Sequence, residues 1–62
     1  MKYSELEKII KKTTNCYFHH NSNHPVWYNP DTDTYFDMSH HGSEEVRPGT
    51  LQKILKLSGA KR

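Results

Sequence analysis

A lone cysteine, Cys16, in a chain of only 62 residues is the tightest constraint on what can fold here. A domain near this size buries only about 60% of the surface its unfolded chain exposes, and small domains commonly offset that thin core with disulfides. One thiol cannot close a bridge within the chain. Stability must come from packing shared among a few elements, or in part from a partner. There is room for one domain and none for a deep cofactor cleft. No apolar run approaches the roughly 20 residues that span a bilayer, and Met1 to Ile10 lack the charged-then-apolar pattern of a secretory signal. A cytoplasmic protein without membrane association is expected.

The periodicity divides the chain into five elements. Ser4-Glu5-Leu6-Glu7 reads as a capping box, so a helix is expected to start near Ser4. Leu6, Ile9 and Ile10 give it one apolar stripe, and Lys11 and Lys12 suit its negative C-terminal end near Thr13. Three β-favouring runs follow: Cys16 to His20, Pro25 to Tyr28 and Thr34 to Met38. Asn21-Ser22-Asn23 and Asn29-Pro30-Asp31-Thr32-Asp33 are turn chemistry between them. Pro48 fits the first turn of a second helix, Leu51, Ile54 and Leu55 repeat the apolar spacing, and Gly59 fits its C-terminal cap. The expected fold is a two-layer α+β domain of order α-β-β-β-α, with a three-stranded antiparallel meander and both helices on one sheet face.

Period-two alternation then sorts side chains by face. Phe36 and Met38 form the apolar set of the third strand, Tyr35 and Asp37 the opposite one. If Trp27 packs with Phe36 and Met38 under the helices, His24 points to the open face; Val26 with Tyr28 is the alternative core pair.

The net charge of +2 conceals segregation. Residues 1–12 are basic, 13–30 carry no Asp, Glu, Lys or Arg, 31–45 hold five carboxylates and no cation, and 46–62 hold five cations and no carboxylate. Basic ends can follow a phosphate backbone, which favours a nucleic-acid partner; a solvated helix face is an equally common use of a lysine run.

Phe18-His19-His20-Asn21-Ser22-Asn23-His24-Pro25-Val26-Trp27 gathers three histidines around one small turn. Its order within the chain carries a resemblance. Lys2-Tyr3-Ser4-Glu5-Leu6 with Ile9-Ile10-Lys11-Lys12, then Asn21-Ser22-Asn23-His24, then the aromatic strand running to Asn29-Pro30, and finally Pro48-Gly49-Thr50-Leu51-Gln52-Lys53-Ile54-Leu55-Lys56 ending at Gly59 are together similar to the HicA-type mRNA interferases. These are the toxin halves of bacterial or archaeal toxin–antitoxin pairs. The resemblance covers nearly the whole chain and makes residues 1–62 one HicA-like domain. It implies a fold like a double-stranded-RNA-binding domain, ribonuclease activity on mRNA, a histidine at the position of His24 required for cleavage, and a HicB antitoxin as partner. Asn21 stands where the family usually has Gly, a tolerable change because Asn also accepts left-handed backbone.

The chemistry of the residues agrees. RNA can be cleaved without a metal when a base takes the 2′-OH proton and an acid protonates the leaving 5′ oxygen, and imidazole can do either near neutral pH. One histidine fills one role at a time. His19, His20 and Ser22 are the candidate helpers of His24. Asn21, Asn23, Tyr28, Lys11, Lys12 and Lys53 are the candidate RNA contacts, with Tyr28 and Tyr35 offering faces on which unpaired bases could stack. His40-His41 has no such motif around it; a place near the site is open to it, and a solvated loop pair is its plain reading. A zinc site built from Cys16, His19, His20, His40 and His41 fits no usual spacing, and adjacent strand residues such as His19 and His20 should point to opposite faces. Neither a metal nor another cofactor is expected. The competing functions are a non-catalytic nucleic-acid-binding module of the same fold and a small zinc- or partner-dependent structural protein. The acidic block from Asp31 to Glu45 is a candidate partner surface or a solvated loop.

Overall fold

A computed structural model describes residues 1–61; Arg62, the last charge of the basic end, lies outside the described residues. Helix α1 spans Tyr3–Thr13, strands β1, β2 and β3 span Tyr17–Asn21, Pro25–Asn29 and Thr34–Asp37, and helix α2 spans Pro48–Ser58. The strands pair antiparallel in the order β1-β2-β3. This is the expected α-β-β-β-α, two-layer α+β arrangement.

The start of α1 differs from its sequence signal. The capping box at Ser4 and Glu7 does not form; the N-cap is Lys2, two residues earlier, with no side-chain cap. The N–H groups of Tyr3 and Ser4 donate instead to the carbonyls of Glu44 and Gly42, each at 3.1 Å. Such first-turn donors have no partner within the helix, so carbonyls from a neighbouring loop replace the side-chain cap. That loop is tied alongside by a bridge between Lys2 and Glu45 and by the Val46 N–H donating to the Met1 carbonyl at 2.9 Å. The approach is close at Gly42, where an added Cβ would lie 3.3 Å from the Ser4 Cβ. Helix α2 follows its signals: Pro48 opens it, and Gly59 closes it in the left-handed region with φ 74°.

Trp27 and Phe36, opposite each other across β2 and β3, are buried with Met38, as expected for the covered face. Leu6 and Ile10 from α1, Ile54 from α2, and Tyr3, Cys16 and Val46 complete the core. Strand β1 starts at Tyr17 rather than Cys16. The thiol turns inward, 3.4 Å from the Ser58 carbonyl, while the Cys16 N–H donates to the Thr14 hydroxyl. Strand β3 ends at Asp37 rather than Met38, although the Met38 N–H still donates to the Pro25 carbonyl at 3.2 Å. All five residues of β1 are exposed, so it forms a sheet edge that the helices do not cover.

Asn29 is buried and polar. Its amide nitrogen donates to the carbonyls of Leu57 at 2.9 Å and Ser58 at 3.2 Å, and its amide oxygen accepts from the Asp31 N–H at 3.0 Å. One side chain thereby closes the β2–β3 turn and satisfies carbonyls at the end of α2, which lack partners within the helix.

Candidate functional site

The Asn21–Pro25 pairing closes a three-residue loop, 22–24, at the end of the β1–β2 hairpin. On the other side of β2, Val26 pairs with Asp37. This register carries the segment after β3 back beside His24. The result is a contact between different strands' ends: His24 Nε2 lies 2.8 Å from Asp37 Oδ2, with both side chains more than half exposed.

The pair stands at a cleft of about 310 Å³. Asn23 and His24 line it together with Asp37, His40 and His41. The buried Tyr3 and Met38 also line it, as does Thr50 in the first turn of α2. Lys53 lines a second hollow of about 230 Å³, which shares Asp37 and Thr50 with the first. Loop and helix residues separated widely in sequence thus meet around His24. His40 and His41, which carried no motif in the sequence, belong to the cleft.

Ser22, His19 and His20 lie outside that lining. His19 and His20 occupy a bulge in β1, where the register shifts between Phe18 and His20. A bulge inserts an unpaired residue and breaks strict alternation of faces. Its effect corrects the expectation that these rings diverge, since their Nδ1 atoms lie 2.6 Å apart. Even so, among the described residues no group of three or more His, Cys, Asp or Glu side chains is placed to hold a metal ion. Cys16 is buried, with its thiol at the Ser58 carbonyl at the end of α2.

His19 instead joins an aromatic surface on the open face. Its ring centroid lies 5.2 Å from that of Tyr35 and 5.9 Å from that of Tyr28. Tyr28 and Tyr35 are 4.8 Å apart, and Tyr17 meets Tyr28 edge-on at 5.7 Å. The Tyr28 hydroxyl donates to Asp33 Oδ1 at 2.7 Å. That hydrogen bond, with lesser contributions from desolvation and the Asp33 charge, pushes the Tyr28 pKa up to about 12. Asp33 itself holds the left-handed conformation, φ 54°, that the tight turn requires.

Of the remaining candidates, Asn21 ends β1 and Asn23 faces the cleft, both exposed. Lys11 lies 3.9 Å from Glu7 and 5.8 Å from the Trp27 ring centroid, and Lys12 is exposed near the end of α1. Sequence reading missed Asp37 and Thr50 as site residues. The alternation had placed Asp37 on the open face, but its meeting with His24 depends on the β2–β3 register, which turn residues alone left open.

No helix of the described residues is long and apolar enough to cross a membrane. Among curated proteins and among solved structures, no relative matches the chain. One family model does, over residues 3–60: the HicA toxin of bacterial toxin–antitoxin systems. That span includes both helices, all three strands and every residue around the cleft, and the chain belongs to the HicA toxin family.

Proposed function

We propose that the chain is a ribonuclease toxin, an mRNA interferase that cleaves mRNA through one essential histidine, His24, and so arrests translation and growth. The observation that carries this reading is His24 itself: exposed at a cleft, hydrogen-bonded to Asp37, and bordered by His40, His41 and Thr50. Cleavage needs no metal. The 2′ oxygen loses its proton to a base and bonds to phosphorus, the bond to the 5′ oxygen breaks, and an acid protonates that leaving oxygen. His24 supplies one of these two proton transfers. The second comes from one of two histidine pairs, His19 and His20 along the hairpin or His40 and His41 in the cleft, with Ser22 near the phosphate.

Unpaired bases stack on Tyr28 and Tyr35, whose rings lie open beside the site. Asn21 and Asn23 contact the strand at the hairpin, and Lys11, Lys12 and Lys53 draw the phosphates. The protein acts in the cytoplasm, where a HicB-type antitoxin neutralises it by covering the open face and His24. A domain this small cannot enclose its own site.

The test is RNA integrity and growth after induction of the wild-type chain, compared with His24→Ala at equal expression. Because His24 is exposed, the variant is expected to keep its circular dichroism spectrum. Wild type should degrade mRNA and halt growth while the folded variant does neither. Intact RNA in both strains, or degradation in both, would overturn the assignment.

A further inference from the structure

We propose that Asp37 is the positioning residue of the site: it accepts the Nε2–H of His24 and leaves Nδ1 as the nitrogen that faces RNA. The inference rests on the reading of His24 as the catalytic histidine, and deepens it by fixing which ring atom works.

Five histidines occur in the chain, and among the described residues His24 alone is paired with a carboxylate. The separation of 2.8 Å is that of a charge-assisted hydrogen bond. The two groups reach it from different places. His24 belongs to a short hairpin loop, whereas Asp37 is the last residue of β3 and is held in register opposite Val26. The strand is therefore the fixed partner and the loop histidine the one that is oriented.

A histidine's two nitrogens are distinct, and the hydrogen bond made by one decides the state of the other. With Nε2 engaged by Asp37, Nδ1 of His24 has no protein partner among the described residues. His19 and His20 differ, because their Nδ1 atoms are directed at each other. Without Asp37, an exposed imidazole on a three-residue loop would spread over several rotamers and both tautomers. Water competes at this pair, since the side chains are 55% and 60% exposed, so the effect is smaller than for an enclosed dyad.

The experiment measures cleavage of an unstructured RNA oligonucleotide by the full chain and by Asp37→Ala, Asp37→Ser and Asp37→Asn. The Ala variant removes the acceptor, and Ser draws it back because its hydroxyl sits one bond nearer the backbone than the carboxylate oxygens; Asn retains a carbonyl oxygen that can accept from Nε2–H in place. Expected for Ala and Ser is a kcat lower by about 10-fold with KM little changed, and recovery of most of that loss in Asn. In parallel, ¹⁵N spectra of the neutral His24 ring should show the proton fixed on Nε2 in wild type and shared between both nitrogens in Asp37→Ala. Wild-type kcat in the folded Ala and Ser variants, a loss confined to KM, or an unchanged nitrogen pattern would overturn the assignment. Failure of wild type to cleave RNA would instead overturn the ribonuclease reading, and the ring spectra would still decide whether Asp37 holds His24.

Discussion

Replacing Asn29 by alanine should remove half or more of the folding stability. Three hydrogen bonds are lost together: those to the Leu57 and Ser58 carbonyls and that from the Asp31 N–H. Their fates differ. The Ser58 carbonyl keeps the Cys16 thiol at 3.4 Å, and Asp31 is exposed, so its N–H can turn to water. The Leu57 carbonyl loses its 2.9 Å partner beneath the turn. An orphaned acceptor, here half-buried, costs at most about 1–3 kcal/mol and each replaced bond about 0.5–1.5, so a total of about 2–6 kcal/mol follows. A chain this short is stable by only about 3–9 kcal/mol. Urea denaturation followed by fluorescence of the buried Trp27 reads the change directly, with the slope of the transition unchanged. Asn29→Asp supplies the control. It keeps an acceptor for Asp31 but turns a carboxylate oxygen toward two carbonyls, so near neutral pH it should destabilise at least as much as alanine. A loss below about 1 kcal/mol for Ala, or an Asp variant as stable as wild type, would refute the role assigned to Asn29.

Gly59→Ala should cost about 1 kcal/mol, or roughly 4–8 °C in Tm, because Gly59 closes α2 at φ 74°; Gly49→Ala, where an added Cβ meets nothing within 4 Å, should cost less. Thermal melts of the two variants decide it. Absorbance titration should find one tyrosine ionising near 12, and Asp33→Asn should bring it back toward the ordinary value of 10.0. Since the folded-state pKa is the raised one, the stabilisation from the Tyr28–Asp33 bond is fully present below pH 10 and is lost as pH rises toward 12. An unchanged titration curve in Asp33→Asn would remove that bond from the account.

The fold was legible wherever a local rule decided it. Pro48 and Gly59 bound α2 because ring geometry and positive φ act within one residue. Trp27, Phe36 and Met38 reach the core because alternation along two strands agrees. The capping box failed since the carbonyls of Gly42 and Glu44 are supplied by a loop about forty positions away, and no spacing near Ser4 reveals them. The His19–His20 bulge was hidden for a related reason: alternation presumes an unbroken ladder, and this edge strand departs from one. At the candidate site, the hairpin motif pointed to His24, but Asp37, His40, His41 and Thr50 come from three later segments. Pairing register gathers them, and register is a property of two strands at once.

Folding also redistributes the charge that the sequence segregates. Four of the five carboxylates of the acidic middle take separate partners. Asp31 lies 3.4 Å from the Asn15 amide, Asp33 accepts from Tyr28 at 2.7 Å, Asp37 meets His24 at 2.8 Å, and Glu45 meets the N-terminal ammonium. Asn15 and Tyr28 bring no positive charge to the carboxylates they meet, and Asp33 and Asp37 lie on the open-face side with the tyrosines. On the helix side, Lys8, Lys12, Lys53 and Lys56 are exposed and form no ion pair among the described residues. These lysines and the two carboxylates create opposing fields across a molecule only 27 Å wide, while screening at physiological salt acts over about 8 Å. In the proposed reading, an RNA strand therefore turns its phosphates toward α2 and Lys53 and its bases toward Tyr28 and Tyr35, with the scissile phosphate between them at His24.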